Sequence, residues 1–245
     1  MLRKTLYDDG VHEWIVLARD PLRPDSVIDT NEYLIVNSGK GMLLDPGGAE
    51  IFPMVLSEIS NIIDVKNIEQ YLCSHQDPDI MSSLPLWMSL NPQAKIYVSW
   101  LWTKFIAHFG NDFVNQFVEV PDQGMTIKLN EQELQIVPAH YLHSSGNFHL
   151  YDPKAKILFS GDIGAALVPD NAPLFVEDFE KHIPYMEGFH ARWMPSNEAK
   201  NRWIRRIRKL DVQMLCPQHG SIFAGDNVHK FLNWLENLEV GKTKE

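Results

Sequence analysis

Three histidines and three aspartates stand where loops leave apolar runs, and their types suit metal ligation. His75, Asp77 and Asp79 occupy alternate positions of Tyr71-Leu72-Cys73-Ser74-His75-Gln76-Asp77-Pro78-Asp79-Ile80. The strand-like run Ile68 to Cys73 ends there, and a helix-compatible segment, Ile80 to Leu90, begins at once. Alternate residues of an extended loop point the same way, so one imidazole and two carboxylates can converge on a point. A polar turn with Asp79 capping the next helix would use the same residues without chemistry. His143, Asp162 and His219 tip the balance. His143 lies in Leu142-His143-Ser144-Ser145-Gly146-Asn147, Asp162 ends Lys156-Ile157-Leu158-Phe159-Ser160-Gly161-Asp162, and His219 follows Val212 to Gln218 and precedes Gly220. Each comes just after a run rich in strand formers and just before small or turn residues. Three imidazoles and three carboxylates, with no thiolate, make an oxygen-rich set for two ions. Such a set suits iron or manganese better than structural zinc, although zinc binds more tightly on raw affinity.

The elements that must position these residues are legible in outline. Glu13 to Ala18 reads as a strand. Asn31 to Val36 and Gly41 to Asp45 flank Asn37-Ser38-Gly39-Lys40, a hairpin-type connection. Asp45-Pro46-Gly47-Gly48 reads as a turn, with Asp45 either an Asx-turn residue or an outer carboxylate of the site. Glu50 to Ile59 has helical spacing. Lys95 to Val98, Met125 to Leu129 and Glu133 to Val137 read as strands, and Trp102 to His108 as a helix. Ala166 to Pro195, with Pro169, Pro173, Pro184 and Pro195, is the least regular stretch and reads as a lid or an interface. Ser196 or Asn197 caps a helix running to Leu210, whose Arg205, Arg206, Arg208 and Lys209 form a solvated basic face or a docking patch. A last helix covers Asn227 to Leu238. His140 is read as an outer or surface residue. Tyr141, Tyr185 and His190 are candidates for supplying protons near the site.

Composition narrows the function classes. Apolar residues make up 44% of the 245, ample for a core, and one domain over 1–245 is expected. No run approaches about 18 apolar residues, so no transmembrane helix is expected, and the N-terminus lacks the apolar core of a secretory signal. Cytoplasmic residence is the expectation. The net charge of −10, from 32 acids against 22 bases, argues against nucleic-acid or anionic-membrane binding. Cys73 and Cys216 read as buried structural thiols.

The four strand-end motifs, in this order, resemble the metallo-β-lactamase superfamily, and specifically its flavodiiron and oxygen-binding diiron branch. The zinc hydrolases of that superfamily carry His-x-His-x-Asp-His. This chain has His75-Gln76-Asp77-Pro78-Asp79-Ile80, with a carboxylate in place of the second His, as the diiron branch does. The separations, 68 residues from His75 to His143 and 19 from His143 to Asp162, are similar to that branch, and the likeness covers roughly residues 15 to 235. Phe189 to Asn197 also resembles a segment of its single-domain members.

The resemblance implies an α/β fold, a four-layer αββα sandwich. It implies two iron ions, with manganese or zinc as possible occupants of a preparation. His75, Asp77 and His143 would hold one ion, Asp79 and His219 the other, and Asp162 would bridge them. Ile80 replaces a His of many members, leaving an open position on the second ion beside an apolar wall. The implied function is O2 or NO binding, by a sensor with a signalling partner or a reductase with an external electron-transfer protein. No flavodoxin-like module follows, so no flavin is expected on this chain; a homo-oligomer is expected. The other reading is a dinuclear hydrolase of esters, thioesters or phosphodiesters.

Overall fold

A computed structural model describes residues 1–110 and 113–243, and it divides into two compact units, Met1–Leu134 and Gln135–Glu245. The first unit is built on a sheet in the order β1 to β7: Leu2–Asp8, His12–Ala18, Glu32–Asn37, Lys40–Leu44, Ile68–Leu72, Lys95–Ser99 and Phe117–Val120. The first four strands are an antiparallel meander, and β4 to β7 pair in parallel. Between β3 and β4, Ser38 and Gly39 both take positive φ (49° and 77°), the two-residue turn whose twist matches the strands it joins. Parallel pairing needs crossovers, and helices α1 (Phe52–Ser60), α2 (Pro78–Met81), α3 (Leu84–Leu90) and α4 (Thr103–Ile106) supply them. Their apolar stripes, Val55 and Ile59, then Met81, Leu84, Trp87 and Met88, cover Ile15, Leu34, Leu43, Tyr71 and Ile96 of the sheet. β1 was not anticipated; it is a largely exposed edge strand whose side chains alternate only weakly.

The expected helix from Ile80 to Leu90 is two helices. The break falls at Ser82 and Ser83, where the Ser83 hydroxyl reaches the carbonyl oxygens of Pro46 (2.9 Å) and Gly47 (2.7 Å) and Pro85 restarts the helix.

The second sheet runs in the order β13 (Phe223–Ala224), β12 (Met214–Cys216), β11 (Ile157–Phe159), β10 (Phe148–Asp152), β9 (Gln132–Pro138), β8 (Met125–Leu129), and the boundary between the units falls within β9. In the second unit α5 (Phe179–Trp193), α6 (Asn197–Ile207) and α7 (Asp226–Asn237) share a core with the sheet, including Met186, Trp203, Ile204, Phe231 and Leu235 packed with Tyr151, Leu158 and Leu215.

The stretch Ala166 to Pro195 corrects the sequence-based expectation. Only its first part is irregular; α5 occupies the rest, through Pro184. Asp178 caps it by accepting from the Lys181 N–H. Phe179, His182, Met186 and His190 are all buried and recur every three or four residues, so packing of one stripe outweighs the hydrogen bond lost at Pro184. Two of those four are histidines, which disguises the stripe as polar. On α6, Ser196 is the cap, accepting from the Ala199 N–H. Arg206 is not part of a solvated face: it is partly buried and donates to the Pro138 carbonyl at 2.6 Å. Among the described residues, no helix is long and apolar enough to cross a membrane.

Candidate metal centre

In the first unit β5 ends at Leu72, and the chain continues through Cys73 and Ser74 to His75, fully buried. β4 pairs in parallel with β5, Leu44 against Leu72, so Asp45, one residue past β4, lies beside the same strand end. Asp45 is buried, with φ of +44°, and accepts from the Ser74 N–H at 2.7 Å and from the Ser74 hydroxyl at 2.6 Å. The Ser74 hydroxyl also lies 2.9 Å from Nδ1 of His75. That hydroxyl has one proton, and a carboxylate can only accept, so Nδ1 must carry the proton shared with Ser74 Oγ. Nε2 is then the lone-pair nitrogen, the form a metal requires. Asp45 is therefore tied through Ser74 to the His75 imidazole and is not merely a turn residue. Ser74→Ala should leave the His75 ring free to rotate and lower metal affinity by about 10- to 100-fold, as partners behind a ligand typically do. Anaerobic iron titration checks this.

Asp77 precedes α2 in the N-cap position, but its side chain makes no capping hydrogen bond. Its Oδ2 stands 3.5 Å from Nε2 of His75. Pro78 starts the helix, so the extended stretch ends at Asp77 and Asp79 is placed by the first turn of α2. Asp79 borders a cleft of about 220 Å³ with Thr30, Gly48, Glu50 and Ser82. Ile80 is fully buried in the core of this unit, and its carbonyl accepts from the Gly47 N–H.

In the second unit β11 and β12 run in parallel with Phe159 opposite Cys216. Asp162 and His219 each lie three residues past those partners, so equal overhangs carry them to the same edge. Gln218 N–H donates to the Gly161 carbonyl at 2.7 Å and ties the two loops together. His143 sits on the loop joining β9 to β10, in a positive-φ conformation (74°) that costs a non-glycine residue on the order of 1–3 kcal/mol. The loop is held by Ala139 N–H to Asn147 O, Tyr141 N–H to Ser144 O and the Asn147 amide to Leu142 O.

Asp162 divides its two oxygens. Oδ2 lies 3.5 Å from Nε2 of His143, and Oδ1 lies 3.5 Å from Nε2 of His219. All three side chains are largely buried. A direct charged hydrogen bond would close to about 2.7–2.9 Å. Two donors each about 2.1 Å from a common ion stand roughly 3–3.6 Å apart. The donor set therefore fits metal ions: imidazole nitrogens and carboxylate oxygens are held near one another but not collapsed onto one another.

His140 has its ring edge-on to Phe148, with centroids 5.0 Å apart. His140→Ala should retain iron where His143→Ala loses it; equal losses on metal analysis would reverse that choice. His190 is not a proton source. It is fully buried, Nε2 accepts from the Gly164 N–H (2.9 Å), Nδ1 donates to the Met186 carbonyl (2.8 Å), and burial pushes its pKa down to about 4. Tyr141 and Tyr185 are exposed. Both cysteines are buried thiols outside any disulfide, and burial raises the Cys73 thiol well above its ordinary range. The Asp45–Ser74 relay was only half visible in the sequence; its signal was that Asp45, like the ligand candidates, stands at a strand end.

The family described as ODP family beta lactamase matches residues 28–220. The chain belongs to that family. Among solved structures, one described as a peroxy diiron species of the chemotaxis sensor ODP is 43% identical; the match covers 98% of this chain and 97% of that one, with a TM-score of 0.89. The apo state of the chemotaxis sensor ODP from T. denticola is 44% identical, with 98% and 96% covered and a TM-score of 0.88. The mixed α/β fold with two sheets is thus that of ODP family members. A curated relative, the putative diflavin flavoprotein A 2 of Synechocystis, is 23% identical over 214 residues, covering 86% of this chain. The chain spans 36% of that relative and 62% of another curated one.

Proposed function

We propose that this ODP family member is a non-haem diiron protein that binds O2 or NO and signals their presence. The observation that carries it is Asp162, whose two oxygens are each held 3.5 Å from a different imidazole. A carboxylate shared in this way spreads its negative charge between two cations that would otherwise repel. His75, Asp77 and His143 would hold one ion and Asp79 and His219 the second, with Asp162 common to both. Loaded iron would supply the electrons that a diatomic gas draws on when it binds. The chain's own residues do the rest. Asp45 and Ser74 fix the tautomer and the orientation of His75. The β11 and β12 overhangs present Asp162 and His219 together. Ile80 contributes no imidazole.

The description of the 43% identical structure as a chemotaxis sensor supports sensing with a downstream protein partner. The flavoprotein relative keeps open a reductase role with an external electron donor. Hydrolysis is disfavoured by the ligand chemistry, because three carboxylates weaken the metals as Lewis acids. Reduced, iron-loaded protein should contain two irons per chain and develop a charge-transfer band on exposure to O2 or NO. One zinc per chain, good ester cleavage and indifference to both gases would overturn this reading.

A further inference from the structure

Helix α5 meets the ligand loops of the second unit at two points. Near its C-terminal end the Trp193 ring stands edge-on to the His143 imidazole, with centroids 5.2 Å apart and planes at 72°. Phe189 stacks on Trp193 (5.9 Å, 23°) and lies 6.0 Å from the same imidazole. The second point is His190, whose Nε2 takes the Gly164 N–H at 2.9 Å while its Nδ1–H goes to Met186 O of its own helix. Phe231 and Trp234 of α7 pack edge-on around this ring.

Gly164 is two residues beyond Asp162, and Gly161 and Gly164 both have positive φ (51° and 99°). A loop flanked by glycines has much conformational freedom to lose, so Asp162 depends on restraints from outside its own turn. His143 has the opposite problem: its backbone is strained, so its ring direction depends on what packs against it. A carboxylate serving two ions tolerates little rotation, and an imidazole ligand tolerates little tilt.

We propose that His190 and Trp193 are positioning residues through which α5 sets the metal-binding geometry of Asp162 and His143, so that loading is felt along α5. The inference rests on those two residues being ligands. His190 acts as a neutral clamp with one proton, placed on the side facing its own helix, and burial keeps it in that form. Trp193 is 54% exposed, so its ring gains little from burial in the core; its ring contacts are with Phe189 and His143.

The test titrates anaerobic apo-protein with iron(II) and with cobalt(II) for the native chain, His190→Leu, His190→Gln and Trp193→Ala. Melting temperatures of the apo forms are measured in parallel. Trp193→Ala should move the apo melting point by only about 1–2 °C. It should nonetheless weaken metal binding about tenfold and alter the cobalt spectrum. His190→Leu should weaken binding by about 10- to 100-fold. His190→Gln, whose amide can repeat both hydrogen bonds, should stay closer to the native affinity. Emission assigned to Trp193, taken as native minus Trp193→Phe, should change on loading. If Trp193→Ala and the folded His190→Leu protein both bind two ions with native affinity and native cobalt spectra, the inference is wrong and the ligand assignment stands. If the native chain takes up no pair of ions, both fall.

Discussion

Asp162→Ala should empty both metal positions at once, leaving well under one iron per chain, whereas His219→Ala should empty mainly the second. Asp162 is nearly buried and places Oδ2 near His143 and Oδ1 near His219, each at 3.5 Å from Nε2. Removing it takes a donor from both ions and also the negative charge between them. The loss at each position should exceed the roughly 10- to 100-fold typical of a residue that only supports a ligand. Metal analysis of the two purified variants after iron loading decides the matter. Full occupancy in Asp162→Ala would contradict the shared-carboxylate assignment, and equal, complete losses in both variants would contradict the division of ligands between two ions.

The second large effect is expected from a residue with no donor atom in its side chain. Gly220 follows His219 with φ of +85°, and a Cβ added there would lie 2.7 Å from the Ala166 carbonyl oxygen and 2.9 Å from the Ala166 Cβ. The obstacle is backbone, which cannot swing aside. Gly220→Ala combines left-handed strain with overpacking, about 2–4 kcal/mol together. For a chain of this size that lowers the melting point by on the order of 10 °C. The same contact contains the Ala166 N–H to His219 O hydrogen bond, so the displacement reaches the imidazole. The folded fraction of Gly220→Ala should hold the first ion better than the second. Unchanged melting with normal iron content would show that the loop relaxes without moving His219.

The sequence by itself determined that five of the six candidate ligands follow strand ends, because a strand end is a local event; Asp79 falls instead in the first turn of α2. A run of strand formers stopping at a polar, small or turn residue is legible at Leu72, Phe159 and Cys216 without knowing the partners of those strands. The hairpin at Ser38 and Gly39 and the Ser196 cap are legible for the same reason: one or two residues with special φ or a side-chain acceptor decide them. Tertiary structure decided the rest. Asp45 and Ser74 are 29 residues apart, and no periodicity joins them; the parallel pairing of β4 with β5 makes them neighbours and thereby fixes the His75 tautomer. Asp162 meets His219 because β11 and β12 pair with Phe159 opposite Cys216 and overhang equally, and it meets His143 because the β9–β10 loop reaches the same carboxylate. The helix α5 was hidden by Pro184 and by two histidines that burial and backbone hydrogen bonds turn into core residues. Propensity acts within a few residues, whereas a buried polar side chain is accommodated only by partners that the folded chain brings to it.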